Sequence, residues 1–131
     1  MPVPPPAADR RPVLVLDADQ PSSLAVVRSL GRRGITVRVA SADARPLGAL
    51  SRHARGHWRH PDPLQDEAGF VDWLEQHLRT QHYALVVPLP ERSVVPLMRQ
   101  RARLTGAPLA MPSNEALEQV LDKRRTVALA Q

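Results

Sequence analysis

Asp17 and Asp19 stand directly after the apolar run Val13-Leu14-Val15-Leu16, and Gln20, Pro21, Ser22 and Ser23 follow them. In a parallel α/β fold this is the first strand-to-helix turn, where ligands gather at strand carboxyl ends and helix amides face them. A dinucleotide site needs Gly-x-Gly-x-x-Gly there, because only glycine lets the backbone close on a pyrophosphate. The turn reads Asp17-Ala18-Asp19-Gln20-Pro21-Ser22, with no glycine and with two carboxylates that repel a diphosphate. NAD and FAD are thereby set aside. What remains is a turn that caps its helix, or one that binds a smaller polar ligand through Gln20, Ser22, Ser23 and the helix amides. Phosphate-accepting receiver domains also carry an acidic pair here. They require in addition an Asp closing a central strand and a Lys closing the last one, and those positions read Val87-Pro88 and Met111-Pro112.

Three further groups have types suited to chemistry. Glu91 lies just past Val86-Val87-Pro88-Leu89-Pro90, at the end of an apolar strand, where it either contacts a ligand or favours the positive end of the next helix. Lys123 is the chain's single lysine, a compact charge suited to phosphate, in Leu121-Asp122-Lys123-Arg124-Arg125-Thr126. His53, His57 and His60 would share one face of a helix and could then hold Zn²⁺. Arg52, Arg55 and Arg59 interleave with them and repel a cation, and Pro61 and Pro63 break a long helix, so no metal site is expected.

The elements that must position these residues follow from the periodicity. Val13 to Leu16 is continuously apolar, as in a strand buried on both faces. Ser22 or Ser23 can cap a helix with the stripe Leu24, Val27, Leu30, closed by Gly34. Ile35, Val37 and Val39 alternate with polar residues as a second strand, parallel to the first. Residues 41–63 read as a long loop with a short strand near His57 to Arg59. Asp66 to Thr80 is a helix whose face is Phe70, Trp73, Leu74, His77 and Leu78. Tyr83 to Val87 is a strand ending at Pro88, and Ser93 to Arg103 a basic helix that tolerates Pro96 only in its first turn. Ala107 to Met111 is a short strand, and Ser113 caps a last helix from Glu115 to Leu121. This alternation predicts an α/β fold of Rossmann-like form, an open parallel sheet with helices on both faces.

Composition narrows the classes. The 131 residues fit one domain. Zero cysteines exclude disulfides, thiolate metal sites and cysteine nucleophiles. No apolar run approaches the roughly 20 residues of a membrane span, and residues 1–12, with four prolines in the first six, contain no signal-peptide core. They read as a disordered Pro-rich leader of a cytoplasmic protein. The net charge of +5 and pI near 11.2 suit a nucleic-acid binder, and Trp58 among Arg45, Arg52, Arg55 and Arg59 could stack on a base. Yet 17 of the 18 basic residues are Arg, a skew that coding bias produces unaided, so a nucleic-acid partner is not expected.

Several of these stretches together resemble the N-terminal domain that precedes the catalytic fold in ATP-grasp enzymes, especially carboxylate–amine ligases related to carbamoyl-phosphate synthase and biotin carboxylase. The carriers are Val13-Leu14-Val15-Leu16-Asp17 through Gly34-Ile35-Thr36-Val37, the Ser51-Arg52-His53 and His60-Pro61-Asp62-Pro63 segment, Leu85-Val86-Val87-Pro88, and Asp122-Lys123 with the residues after it. The resemblance implies a pre-ATP-grasp domain over residues 13–121 and, over 122–131, the start of a linker helix into an ATP-grasp domain that this sequence lacks. It implies that Lys123 approaches nucleotide phosphates and that Asp19, Gln20, Ser22 and Glu91 shape the substrate side of the cleft. It further implies that ATP and Mg²⁺ act in the full-length enzyme, where a carboxylate is activated as an acyl phosphate. This chain alone is then expected neither to bind them tightly nor to catalyse ligation. The partners implied are the ATP-grasp domain, in cis or in trans, and a small carboxylate or amino acid. A homo-oligomer is compatible with the sequence. The alternative is a stand-alone Rossmann-like module that binds a small ligand or a partner.

Overall fold

A computed structural model describes residues 11–19, 21–43, 49, 52–89 and 91–110, with Glu91 described by its backbone alone. At its centre is β1 (Val13–Leu16), all four of whose side chains are buried, as a continuously apolar strand demands. β2 (Val37–Ser41) and β4 (Leu85–Pro88) flank it, and β3 (Ala54–Arg59) lies outside β2. The order is β3-β2-β1-β4 and every pairing is parallel. Leu109 adds a parallel bridge to Val86 beyond β4, where the sequence predicts a fifth strand over Ala107 to Met111.

Side chains alternate across the sheet and sort into two cores. On one face Val15, Val37 and Val39 pack with Ala18 and with Val27 of α1 (Pro21–Arg32). On the other, Leu14, Leu16, Ala40 and Val86 pack under Phe70, Val71, Leu74 and Leu78 of α2 (Glu67–Thr80) and Leu97 of α3 (Glu91–Arg99). Helices therefore cover both faces. Each buried Val, Leu or Phe side chain among them contributes about 1.5–3 kcal/mol.

The local signals act largely as their chemistry requires. Gly34 takes φ +79° just past α1, the left-handed stop that only glycine adopts cheaply. Asp66 caps α2 by accepting the Gly69 amide at 2.9 Å. Pro12, placed in the leader from sequence, has its carbonyl bonded by the Ala84 amide at 2.9 Å.

Four details differ from expectation. α1 begins at Pro21, so Ser23 lies inside the helix, fully buried, donating to the Ala18 carbonyl at 2.8 Å rather than capping. Its inward face is consequently Ser23 and Val27, with Leu24 and Leu30 half-buried. β3 is six residues long, where the sequence predicts only a short strand within a loop, because pairing with β2 supplies the order that its polar sequence does not. α3 starts two residues early, at Glu91, and ends at Arg99, with a 3₁₀ turn at Arg101–Arg103. Pro96 thus sits in the second turn, not the first, and has no N–H to offer the Arg92 carbonyl. The helix expected from Glu115 to Leu121 lies outside the described residues.

Candidate functional site

Where β1 and β4 end side by side, one connection runs to α1 on one face and the other to α3 on the opposite face. This reversal marks the carboxyl edge between them as the place where open α/β sheets form a ligand crevice. Asp17 follows β1 with φ +56°, a left-handed conformation that Asp tolerates better than most residues. Its side chain is 1% exposed.

Arg92, in the first turn of α3, reaches across from the β4 side. Its Nε donates to Asp17 Oδ2 and its Nη2 to Asp17 Oδ1, both at 2.7 Å. Nη2 also lies 2.9 Å from both Asp19 oxygens. One guanidinium therefore clasps two carboxylates. The two-point geometry with Asp17 is the strong form of this contact.

The electrostatics split the carboxylates. Burial is the largest influence on Asp17 and raises its pKa above the ordinary value, against the pull of Arg92. At Asp19 burial also pushes upward, but the bonds from Arg92 and from the Asp17 side chain outweigh it and hold the group low. Arg92 is locked in its charged form by Asp17 first, against partial burial, with Asp19 adding to the effect. A proton entering the clasp therefore goes to Asp17, while Asp19, with 29% of its side chain exposed, stays anionic toward the crevice.

His60 lies behind this turn, just past β3 and 2% exposed. The Asp17 amide donates to its Nε2 at 3.2 Å, and its Nδ1 sits 2.8 Å from the Pro61 carbonyl. Ring contacts with Phe70 and Trp73 close the other sides.

The residues singled out from sequence divide accordingly. Asp19 is at the crevice. Ser22 is exposed on the first turn of α1, on the same rim. Glu91 opens α3 next to Arg92, its side chain outside the described residues, as are Gln20 and Lys123. His53, His57 and His60 do not share a face. His57 is exposed on β3 while His60 is buried beyond it, and no metal-holding group of three His, Asp or Glu occurs among the described residues. Arg92 was missed, and so was the service of Asp17 to the site. The signal for Arg92 was its position, the second residue after the β4 turn and so in reach of the β1 turn. The repulsion expected from the paired carboxylates is in fact neutralised in part by that arginine.

The fold and crevice define an open, parallel, Rossmann-like α/β domain. Two solved structures share the fold. Glycinamide-RNase-transformylase T from Mycobacterium tuberculosis superposes with a TM-score of 0.57 at 20% identity, over 82% of this chain and 30% of that one. The biotin carboxylase domain of a single-chain bacterial carboxylase gives 0.59 at 18% identity, over 92% of this chain and 28% of that one. This chain thus spans less than a third of either. No protein family and no curated protein matches the sequence. No helix among the described residues is long and apolar enough to cross a membrane.

Proposed function

We propose that this chain is the N-terminal, substrate-side domain of a cytoplasmic ATP-dependent carboxylate–amine ligase, acting with an ATP-grasp domain supplied in cis or in trans. The observation that carries the reading is the shared fold with two much longer chains, one of them a biotin carboxylase domain, of which this chain would form one part. The crevice supports it with matching chemistry. In this reading a small carboxylate or amino acid binds beside the clasp, its carboxylate drawn to the Arg92 guanidinium and its ammonium to Asp19, in exchange for the 2.9 Å Arg92–Asp19 contact.

The described residues do not suit ATP and Mg²⁺. Both crevice carboxylates are engaged by Arg92, and the turn after β1 has no glycine to admit phosphates. Those groups belong to the ATP-grasp domain in this proposal, with Lys123 reaching nucleotide phosphates from the linker. The residues of this chain bind and orient the acceptor and hold its charge.

The test joins this chain to the ATP-grasp domain encoded by the same gene or its neighbour and follows ADP release against small carboxylates and amines. We expect carboxylate-dependent ADP release by the joined form, with KM for the carboxylate raised about 100-fold in Arg92→Ala. Calorimetry should show ATP–Mg²⁺ binding by the joined form only, lost on Lys123→Ala. Tight binding by the 131-residue chain alone would make it a complete nucleotide-binding module and overturn the proposal.

A further inference from the structure

We infer that His60 is a positioning residue for the crevice: its neutral imidazole fixes the left-handed Asp17 turn and so aims the Asp17 carboxylate at Arg92. The inference rests on reading this crevice as the substrate side, but it concerns the clasp itself.

The tautomer follows from the partners. A carbonyl only accepts, so the Nδ1 facing Pro61 O must carry the hydrogen, and the Asp17 amide only donates, so Nε2 must present its lone pair. The ring is then neutral with both nitrogens satisfied by backbone. Without it, the amide of a residue that is almost wholly buried would lose this partner at the point where the backbone holds φ +56°. The chain holds the ring firmly in place: the His60 amide donates to the Ser41 carbonyl at 2.9 Å, and the Ala18 amide to the Ala40 carbonyl at 3.0 Å. Backbone bonds thus tie the ends of β1 and β3 each to β2, and the imidazole adds the direct tie from the end of β3 to the turn after β1.

A second proton, on Nε2, would set two N–H groups face to face and break this link. The groups around the ring are Phe70 and Trp73 from α2, the Pro61 carbonyl, and the Asp17 and Asp19 carboxylates across the turn with Arg92 beyond them. Burial disfavours the imidazolium most, while the Pro61 carbonyl and the two carboxylates favour it. Burial prevails, holding the ring below its ordinary 6.5. The clasp is therefore set as described near neutral pH and loosens as the pH falls through the lowered titration of this ring.

The experiment is a heteronuclear NMR titration of the intact chain from about pH 7.5 to about pH 4.5, the span in which a histidine changes charge. It follows the His60 Cε1–H, the Asp17 amide and the Arg92 Nε–H. All three should move with one midpoint, below 6.5. In His60→Gln, whose side-chain carbonyl accepts from the Asp17 amide without titrating, that midpoint should vanish from the Asp17 and Arg92 signals. Movement left over in that variant belongs to the Asp17 carboxyl. If the Arg92 signal keeps the wild-type midpoint in His60→Gln, or never shares that of His60, the inference fails. The wild-type titration decides the matter even if the variant does not fold. No ligase activity is read, so an assembled enzyme that releases no ADP would overturn the proposed function and leave this result standing.

Discussion

The two faces of the sheet are built from different materials. Under α1 the core is aliphatic apart from a hydroxyl: Val15, Ala18, Val27, Val37 and Val39 are buried with aliphatic half-buried neighbours, and buried Ser23 donates to the Ala18 carbonyl. Under α2 lie all four of the chain's aromatic residues, Phe70, Trp58, Trp73 and Tyr83, with two histidines among them. His77 stacks on Trp73 at 4.6 Å, meets Trp58 edge-on at 4.7 Å, and lies 2.6 Å from the Tyr83 hydroxyl. Arg38 sits over Trp58, 5.5 Å from the ring centre, and donates to Gln81. One face is held by shape and a buried hydroxyl. The other adds groups that change charge, and through His60 it is the face connected to the crevice.

Phe70→Ala should have the largest effect, about 4 kcal/mol of stability lost in a denaturant titration, because a fully buried ring is replaced by a cavity. It should also let water reach His60 and move that ring's titration upward toward 6.5, since burial is what lowers it. Val27→Ala on the aliphatic face should cost about 2 kcal/mol, through lost methyl groups and the void they leave. That loss should be equal at pH 5 and pH 8 within error. A pH-dependent loss at Val27 would erase the distinction between the faces.

The smallest effect sharpens the contrast at alkaline pH. Burial raises Tyr83 from 10.0 to about 12. The unfolded chain therefore releases this proton first, and stability should fall as pH rises from 10 to 12. Tyr83→Phe should remove that decline while costing about 1 kcal/mol at neutral pH, since His77 Nε2 loses its partner. In acid the sign is opposite. Burial lowers both His60 and His77, so their contribution is complete above 6.5 and is lost as pH falls below it.

How far the sequence led depended on whether an element declares itself locally. The apolar run at Val13, the helix read from Asp66 to Thr80 and the stop at Gly34 are written within a few residues, and each stands to within a residue. Only the end of β3, His57 to Arg59, could be found in this way, for Ala54 to Arg59 has no apolar alternation and owes its order to β2. Likewise Asp17 and Arg92 are 75 residues apart, and nothing but the sheet order brings them together. The sequence offers His60 as one of three candidate metal ligands and as part of the His60-Pro61-Asp62-Pro63 segment, but its partner is the amide of Asp17 just past another strand, which no spacing reveals. Asp19 was legible since the end of a first strand is a place of known chemistry.

β3 also bears on how the protein avoids its own kind. Between Val37 and Val39 of β2 the register slips, the three steps of β3 from Ala54 to His57 matching two steps of its neighbour, and Gly56 there takes φ +150°. This bulge twists the last strand of the described sheet. The side chains it displays, Arg55, His57 and Arg59, are polar and exposed. A kinked, positively charged margin is a poor template for strand addition, so the domain's flank discourages sheet-to-sheet aggregation.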